Sequence, residues 1–324
     1  MRIGILAYDR CLGGEVFGFA DVLHFANRMA LARRPSEPAP FEIRLVSPGG
    51  SSVTATHGVQ LSAEPSLAGL DLLVVPGFDF ADLEDLETRL AQFGAEVSLI
   101  KGLAADMKVA AICVGGFLLG EAGLLDGRSA TTAWFYTPEL ARRNPSALIE
   151  PEAMIVEDGR VTTTGAFSAA HDLALRVIRQ GAGESLARAV ARLALLEPGR
   201  ASQSAYVDVE LMRHLRPPFA RGVRRRLEAG LADPYDLEAL AAAMSVSSRT
   251  LLRRFKAETG RTPLEDLQAL RVSRAKRLLE GTRLGLGEIA AQVGYQDLST
   301  FGRLFARLAG ATPAAYRRRF RRAA

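Results

Sequence analysis

The first residue whose setting could do chemistry is Cys113, which in KVAAICVGGFLLGEAGLL stands between a strand-like run and the glycines Gly115 and Gly116. A sharp strand-to-helix turn exposes the side chain at its apex, beside backbone N–H groups and a helix N-terminus. That setting favours a thiolate and could hold an oxyanion. A buried, inert cysteine gives the same pattern, so both readings stand. An acyl-transfer thiol also needs a base. The four histidines offer none by position: His24 falls in a helix pattern, His57 in a loop, His171 near a helix start and His214 in the C-terminal part. A second chemistry is suggested by Arg249 and Arg253, four residues apart on a helix that Ser247 would cap. Arginines placed on one outward face can reach guanine edges or phosphates.

These residues lie in halves of different texture. The first half alternates Val-, Ile- and Leu-rich runs with helical patterns: RIGILAY from Arg2, FEIRLVS from Phe41, DLLVVPG from Asp71, KVAAIC from Lys108, and MIVEDGRVTTTG from Met154, a hairpin turning at Asp158-Gly159. Helices are expected over about residues 15–31, 81–104, 116–123, 169–180 and 184–196. The fold class is therefore α/β, an open flavodoxin-like sandwich, followed by an all-α region. PGRASQSA after Glu197 breaks both periods. The expected organisation is a domain over 1–197, a linker over 198–217 and a helical domain over 218–324, with helices starting near Pro218, Leu237, Ser247, Leu264, Leu286 and Asp297.

Charge divides in the same way. From Val209 onward there are 23 Lys and Arg against 11 Asp and Glu, a balance of +12; residues 1–208 hold 18 against 25, or −7, within a total of +5. A basic domain joined to a mildly acidic one points to a polyanionic partner for the former alone. Two cysteines are too few for a disulfide framework and fit a reducing compartment. MRIGILAYDR has no apolar signal core and no later stretch of about 18 apolar residues could cross a bilayer, so a cytoplasmic protein without membrane attachment is expected.

The basic half repeats itself at a spacing of 49 to 50 residues. LEALAAAMSV from Leu237 aligns with LGEIAAQVGY from Leu286, and RFKAETGRTP from Arg254 with LFARLAGATP from Leu304. Each copy reads as a short apolar helix, a tight turn (Met244-Ser245-Val246, Val293-Gly294-Tyr295) and a second helix with a polar outer face, which is helix-turn-helix geometry. Leu251 and Phe255 face inward in the first copy, and Leu298, Phe301 and Phe305 in the second. A helix over about residues 264–280 would run roughly 25 Å and set the two units into successive major grooves. From Phe219 to Phe320, including RVSRAKRLLEGT and GYQDLSTFGRLFARLAGATPAAYRRRF, the chain resembles the AraC/XylS DNA-binding domain. The resemblance places base-reading positions on Arg249, Leu252 and Arg253 in the first unit and on Ser299, Thr300 and Arg303 in the second; Leu252 could meet only a thymine methyl.

Most of residues 1–195 is similar to the PfpI branch of the class I glutamine amidotransferase-like superfamily, and the whole organisation resembles the GlxA-type regulators of the AraC family. Aligned through DVLHFAN, the resemblance makes Glu15 the carboxylate that hydrogen-bonds the elbow cysteine. Where that branch has Thr-Thr-His, this chain has Thr131-Thr132-Ala133-Trp134, so the general base is missing and no catalytic residue is expected. Open α/β sheets bind ligands beyond the carboxyl ends of their strands, which makes Glu15, Gly77, Phe78, Cys113, Val114, Ala133 and Trp134 the expected walls of a binding cleft. Phe78 and Trp134 could equally be packing residues. No metal-ligand spacing, phosphate loop or dinucleotide fingerprint occurs, so no metal or cofactor is expected. The expected partners are duplex DNA, a small-molecule effector and a second copy of the chain. The resemblance adds RNA polymerase, for a transcription regulator that is an activator. Two rivals remain: a cysteine-dependent hydrolase or aldehyde-processing enzyme with an appended DNA-binding domain, and a regulator switched by oxidation of Cys113.

Overall fold

Short aliphatic runs that are buried on both faces assemble into parallel sheets only when helices cover both sides. In the computed structural model, which describes residues 1–50, 52–208 and 218–321, six runs form one sheet. Its order is β2 (Glu42–Val46), β1 (Arg2–Leu6), β5 (Leu72–Val75), β6 (Lys108–Ala111), β10 (Val161–Thr164) and β9 (Ile155–Asp158). Every pairing is parallel except β9 with β10, the expected hairpin. A small hairpin, β3 (Ser52–Thr54) with β4 (Gln60–Ser62), and a short parallel pair, β7 (Ser129–Ala130) with β8 (Leu148–Ile149), lie outside it. Helices α1 (Gly13–Arg33), α6 (Ala169–Ala182) and α7 (Glu184–Leu193) pack together as one group. The other group is α2 (Leu83–Gln92), α3 (Gly94–Lys101), α4 (Gly116–Glu121) and α5 (Thr137–Arg143).

The single helix expected over 81–104 is two, broken at Phe93. Phe93 closes α2 and opens α3 at φ −86°, ψ 29°. Its ring is turned into the core against Tyr8 and Phe78, with centroids 5.1 and 5.0 Å away. Docking that ring bends the chain, and Gly94, a weak helix former, opens α3 directly after it.

The described chain divides into two compact units, Met1–Gln203 and Ser204–Ala324. Of the segment expected as a linker, 209–217 lie outside the described residues; Gln203 and Ser204 are buried, each in its own unit. The second unit is helical: α8 (Pro218–Ala229), α9 (Leu237–Ala243), α10 (Ser248–Thr259), α11 (Pro263–Gly281), α12 (Leu286–Gln292), α13 (Leu298–Ala309) and α14 (Pro313–Phe320). The last was not anticipated as a separate helix. It starts with the same device as α11: a threonine N-cap, Thr312 or Thr262, ahead of a proline at the first helical position, where its missing N–H costs nothing. Two apolar cores lie along α11, one with α8, α9 and α10, the other with α12, α13 and α14. No helix among the described residues is long and apolar enough to cross a membrane.

Candidate functional site

The chain turns out of β1 into α1, out of β5 at Gly77 and out of β6 at Cys113. Strand order reverses between β1 and β5, since β2 lies on the far side of β1. A crevice opens at such a reversal. In this structure Glu15 of α1 is fully buried at that reversal, and its Oε2 accepts from the Gly77 N–H at 2.6 Å. Cys113 holds a left-handed backbone, φ 53°, the strained elbow that the glycine pair suggested. Gly115 is needed there because a Cβ would lie 2.5 Å from the Val75 carbonyl and 2.6 Å from that of Pro76.

The electrostatics of this elbow are those of neutral groups. Glu15 is fully buried, and burial pushes its carboxyl up to about 8, against the Gly77 N–H and the neighbouring Cys113 thiol, which favour ionisation. Its Oε1 has no hydrogen-bond partner among the described residues. Burial likewise pushes the Cys113 thiol well above its ordinary value, and the Glu15 carboxylate adds to that; the N–H groups of Val114 and Phe167 oppose it. Burial thus disfavours the charged form of the acid and of the thiol alike.

Of the other expected walls, Val114 is buried and lies close over Gly77: a Cβ on that glycine would be 3.1 Å from Val114 Cγ2. Phe78 is buried and stacks edge-on with Tyr8 and Phe93, and Ala133 is fully buried. Trp134 is half-buried, its ring against Phe135 at 5.1 Å. Glu15 and Val114 lie against Gly77, and Glu15 beside Cys113; Phe78 and Ala133 are buried, as those residues are.

Three residues that sequence reasoning missed complete the elbow. Thr132 donates its hydroxyl to the Cys113 carbonyl at 2.8 Å. Phe167, beyond the carboxyl end of β10, offers its N–H to the Cys113 sulfur and lays a half-exposed ring over Gly14. The rule that ligands sit beyond strand ends could have found it. Gln203 is buried and clamps the loop after β7: its Nε2 donates to the carbonyls of Thr132 (2.9 Å), Pro151 (3.1 Å) and Ala153 (3.2 Å), and its Oε1 accepts from the Trp134 N–H at 3.1 Å. A lone glutamine in a Ser-rich stretch carries no signal of that role. A cavity of about 270 Å³ opens elsewhere on this unit beside Asp172, Arg176, Arg179 and Arg200. None of the expected site residues lines it. Among the described residues no three His, Cys, Asp or Glu side chains are grouped to hold a metal.

In the second unit α9 with α10, and α12 with α13, form the two helix-turn-helix units, α10 and α13 being the second helix of each. Ser247 caps α10 by accepting from the Thr250 N–H. Leu251 and Phe255 are fully buried, which turns Arg249 and Arg253 outward; both are exposed and make no hydrogen bond or ion pair among the described residues. Leu252 is half-buried. In α13, Phe301 and Phe305 are fully buried and Ser299, Thr300 and Arg303 are exposed. Leu298, expected inside, is 47% exposed: it heads the helix, ahead of the stripe through Phe301, Leu304 and Phe305 that α11 and α12 cover. Between the two units α11 runs for 19 residues, about 28 Å at 1.5 Å per residue.

Both parts of the chain resemble known proteins. Residues 2–180 match the model of the DJ-1/PfpI family, and residues 240–319 match a helix-turn-helix domain. The chain is 29% identical to the HTH-type transcriptional regulator GlxA of Rhizobium meliloti, over 98% of this chain and 96% of that protein. It is 27% identical to the HTH-type transcriptional regulator GbdR of Pseudomonas aeruginosa, over 96% of this chain and 82% of that one. The crystal structure of an AraC family transcriptional regulator from Pseudomonas putida covers 60% of this chain and 98% of its own, at 26% identity and a TM-score of 0.46.

Proposed function

The chain belongs to the DJ-1/PfpI family and is an AraC-type DNA-binding transcription regulator with a DJ-1/PfpI sensory domain, and from that premise we propose that it is an activator switched by a small metabolite. The metabolite is held without turnover at the Cys113 elbow, and the regulator binds its operator as a homodimer and contacts RNA polymerase. The observation that carries the DNA reading is the pair of exposed arginines, Arg249 and Arg253, without a partner among the described residues, on a recognition helix whose other face is locked by Leu251 and Phe255. A guanidinium with no internal partner is available to a guanine edge.

The non-turnover reading rests on protonation. A thiol raised by burial, beside a carboxyl that burial pushes up to about 8, is poorly activated as a nucleophile. The unpartnered Oε1 of Glu15 offers a polar contact to a bound molecule instead. Gln203, which grips the loop beside the elbow, is the last residue of the first unit, and a coupling of about 1 to 3 kcal/mol would suffice for a switch.

Genomic fragments retained by the purified chain at moderate ionic strength test the reading. Arg249→Ala and Arg253→Ala should each reduce discrimination between a retained fragment and random duplex by about 1 to 3 kcal/mol. Equal losses on both duplexes would assign the arginines to phosphates, and retention of no fragment in preference to others would sink the regulator reading. Robust Cys113-dependent turnover of an amide or a dicarbonyl would remove the non-catalytic part alone.

A further inference from the structure

The two helix-turn-helix units have separate apolar cores, and α11 changes allegiance within three residues. Leu267 and Leu270 belong to the first core, Val272 and Ala275 to the second. The residue between them is Arg271, only 8% exposed. Its Nε donates to the Leu231 carbonyl at 2.8 Å and its Nη2 to the Asp233 carbonyl at 2.6 Å, both in the connection from α8 to α9. Its guanidinium carbon stands 5.1 Å from the centroid of the Tyr295 ring, in the turn of the second unit. Beside it Gly294 packs so tightly that a Cβ would lie 2.7 Å from the Ala232 carbonyl and 2.9 Å from Arg271 Nη2. One planar side chain thus ties a loop of the first unit to the turn of the second at the point where apolar packing gives way.

From this geometry we propose that Arg271 is a positioning residue that sets the separation and rotational phase of the two recognition helices, and so the spacing between the two half-sites read on DNA. The inference rests on the reading that α10 and α13 engage one duplex. A guanidinium suits the task because its rigid fork bonds two carbonyls at once while its face stacks on an aromatic ring. An ammonium could do only part of that. DNA makes phase matter: with about 10.5 base pairs per turn, one extra base pair swings the second half-site by about 35°.

Selection of full-length protein on a random duplex library reads this directly. Wild type should return a site of two boxes at one dominant spacing for each chain, repeated where two copies bind as a dimer. Arg271→Met keeps the aliphatic length but loses both donors and the stacked plane. It should return the same two boxes with the preference for the dominant spacing over its one-base-pair neighbours reduced about tenfold, roughly 1.4 kcal/mol. Arg271→Lys should fall between them. Should Arg271→Met fold poorly, Tyr295→Leu, which removes the stacked ring while leaving an apolar side chain against Phe301, should broaden the spacing in the same direction. Unchanged spacing selectivity in these variants, whatever happens to melting temperature or total affinity, overturns the proposal, because a merely structural residue would lower affinity without changing phase. If wild type itself returns a single box, the two-helix reading fails first and this inference with it.

Discussion

In the first helix-turn-helix copy the recognition helix starts on Ser247 and carries Arg249, Arg253, Arg254 and Lys256; in the second it starts on Asp297 and carries Arg303 and Arg307. The scaffolds barely differ. Both first helices are 7 residues long and both recognition helices 12. Both recognition helices end on a left-handed glycine, Gly260 at φ 72° and Gly310 at φ 66°. The outer chemistry has diverged. Arg249 and Arg253 are unpartnered, whereas in the second copy Asp297 accepts from the Thr300 hydroxyl at 2.5 Å, Arg303 donates to Thr300 Oγ1 at 3.2 Å, and Arg307 to Gln268 Oε1 at 3.2 Å. At Arg249 and Arg253 the first copy presents positive charge with no partner among the described residues behind a neutral cap, open to phosphate, while Arg254 pairs with Glu258 at 2.8 Å. The second presents a pre-arranged polar surface with a carboxylate at its head. The two copies share what holds the backbone and differ in what faces out.

The strongest way to break this comparison is through the cores. Phe255 and Phe305 are both fully buried at equivalent positions. Truncating either to alanine should cost about 3 to 5 kcal/mol, read as lost hydrogen-exchange protection in the recognition helix concerned. Costs that differ by several kcal/mol would mean that the copies share a shape but not a packing arrangement.

The turns sharpen it next, with effects of opposite sign. Ser245 holds a left-handed backbone at φ 56° where the second copy has Gly294 at φ 82°. Ser245→Gly should relieve about 1 kcal/mol of strain and stabilise the first unit, net of the entropy that glycine adds to the unfolded chain. Gly294→Ala should destabilise the second by more than that, because the new Cβ would also collide with the Ala232 carbonyl 2.7 Å away. Thermal unfolding of the two variants checks both signs, and an Ala at 294 without penalty would show that this turn can yield.

What the residues themselves disclosed follows physical lines. Periodic burial was legible: β1, β5, β6 and the hairpin of β9 and β10 stand where aliphatic runs put them, and the repeat located both helix-turn-helix units. The elbow at Cys113 was legible because glycine spacing encodes a steric demand, met here by Gly115 against the Val75 carbonyl. Features that depend on a distant partner were not. Phe93 breaks a helix because Tyr8 and Phe78 receive its ring, and Gln203 clamps carbonyls some fifty to seventy residues away in sequence. Leu298 fits the apolar stripe of α13, and only the extent of its neighbours leaves it outside. Pattern records which face of an element is apolar; it does not record where the covering element stops.

The finest distinction between the copies is the cap, and it is open to titration. The Thr300 hydroxyl, then the N–H groups of Thr300 and Ser299, hold the Asp297 carboxyl below its ordinary value of 3.8. A carboxylate whose folded value is depressed stabilises the fold above the unfolded value and loses that contribution as pH falls through the folded one. The head of α13 should therefore loosen below about pH 4, while α10, capped by a hydroxyl that does not titrate in that range, should not. Amide shifts of Thr300 and Thr250 followed from pH 7 to pH 3 separate the two. Thr300 should move with a midpoint below 3.8, and Thr250 should stay still. Asp297→Ser should abolish the Thr300 transition and, by removing a negative charge from the head of the helix, strengthen binding to bulk duplex at low salt. If Thr300 instead titrates at or above the ordinary carboxylate value, Asp297 is no better a cap than a solvated side chain, and the second copy is not pre-arranged at its head.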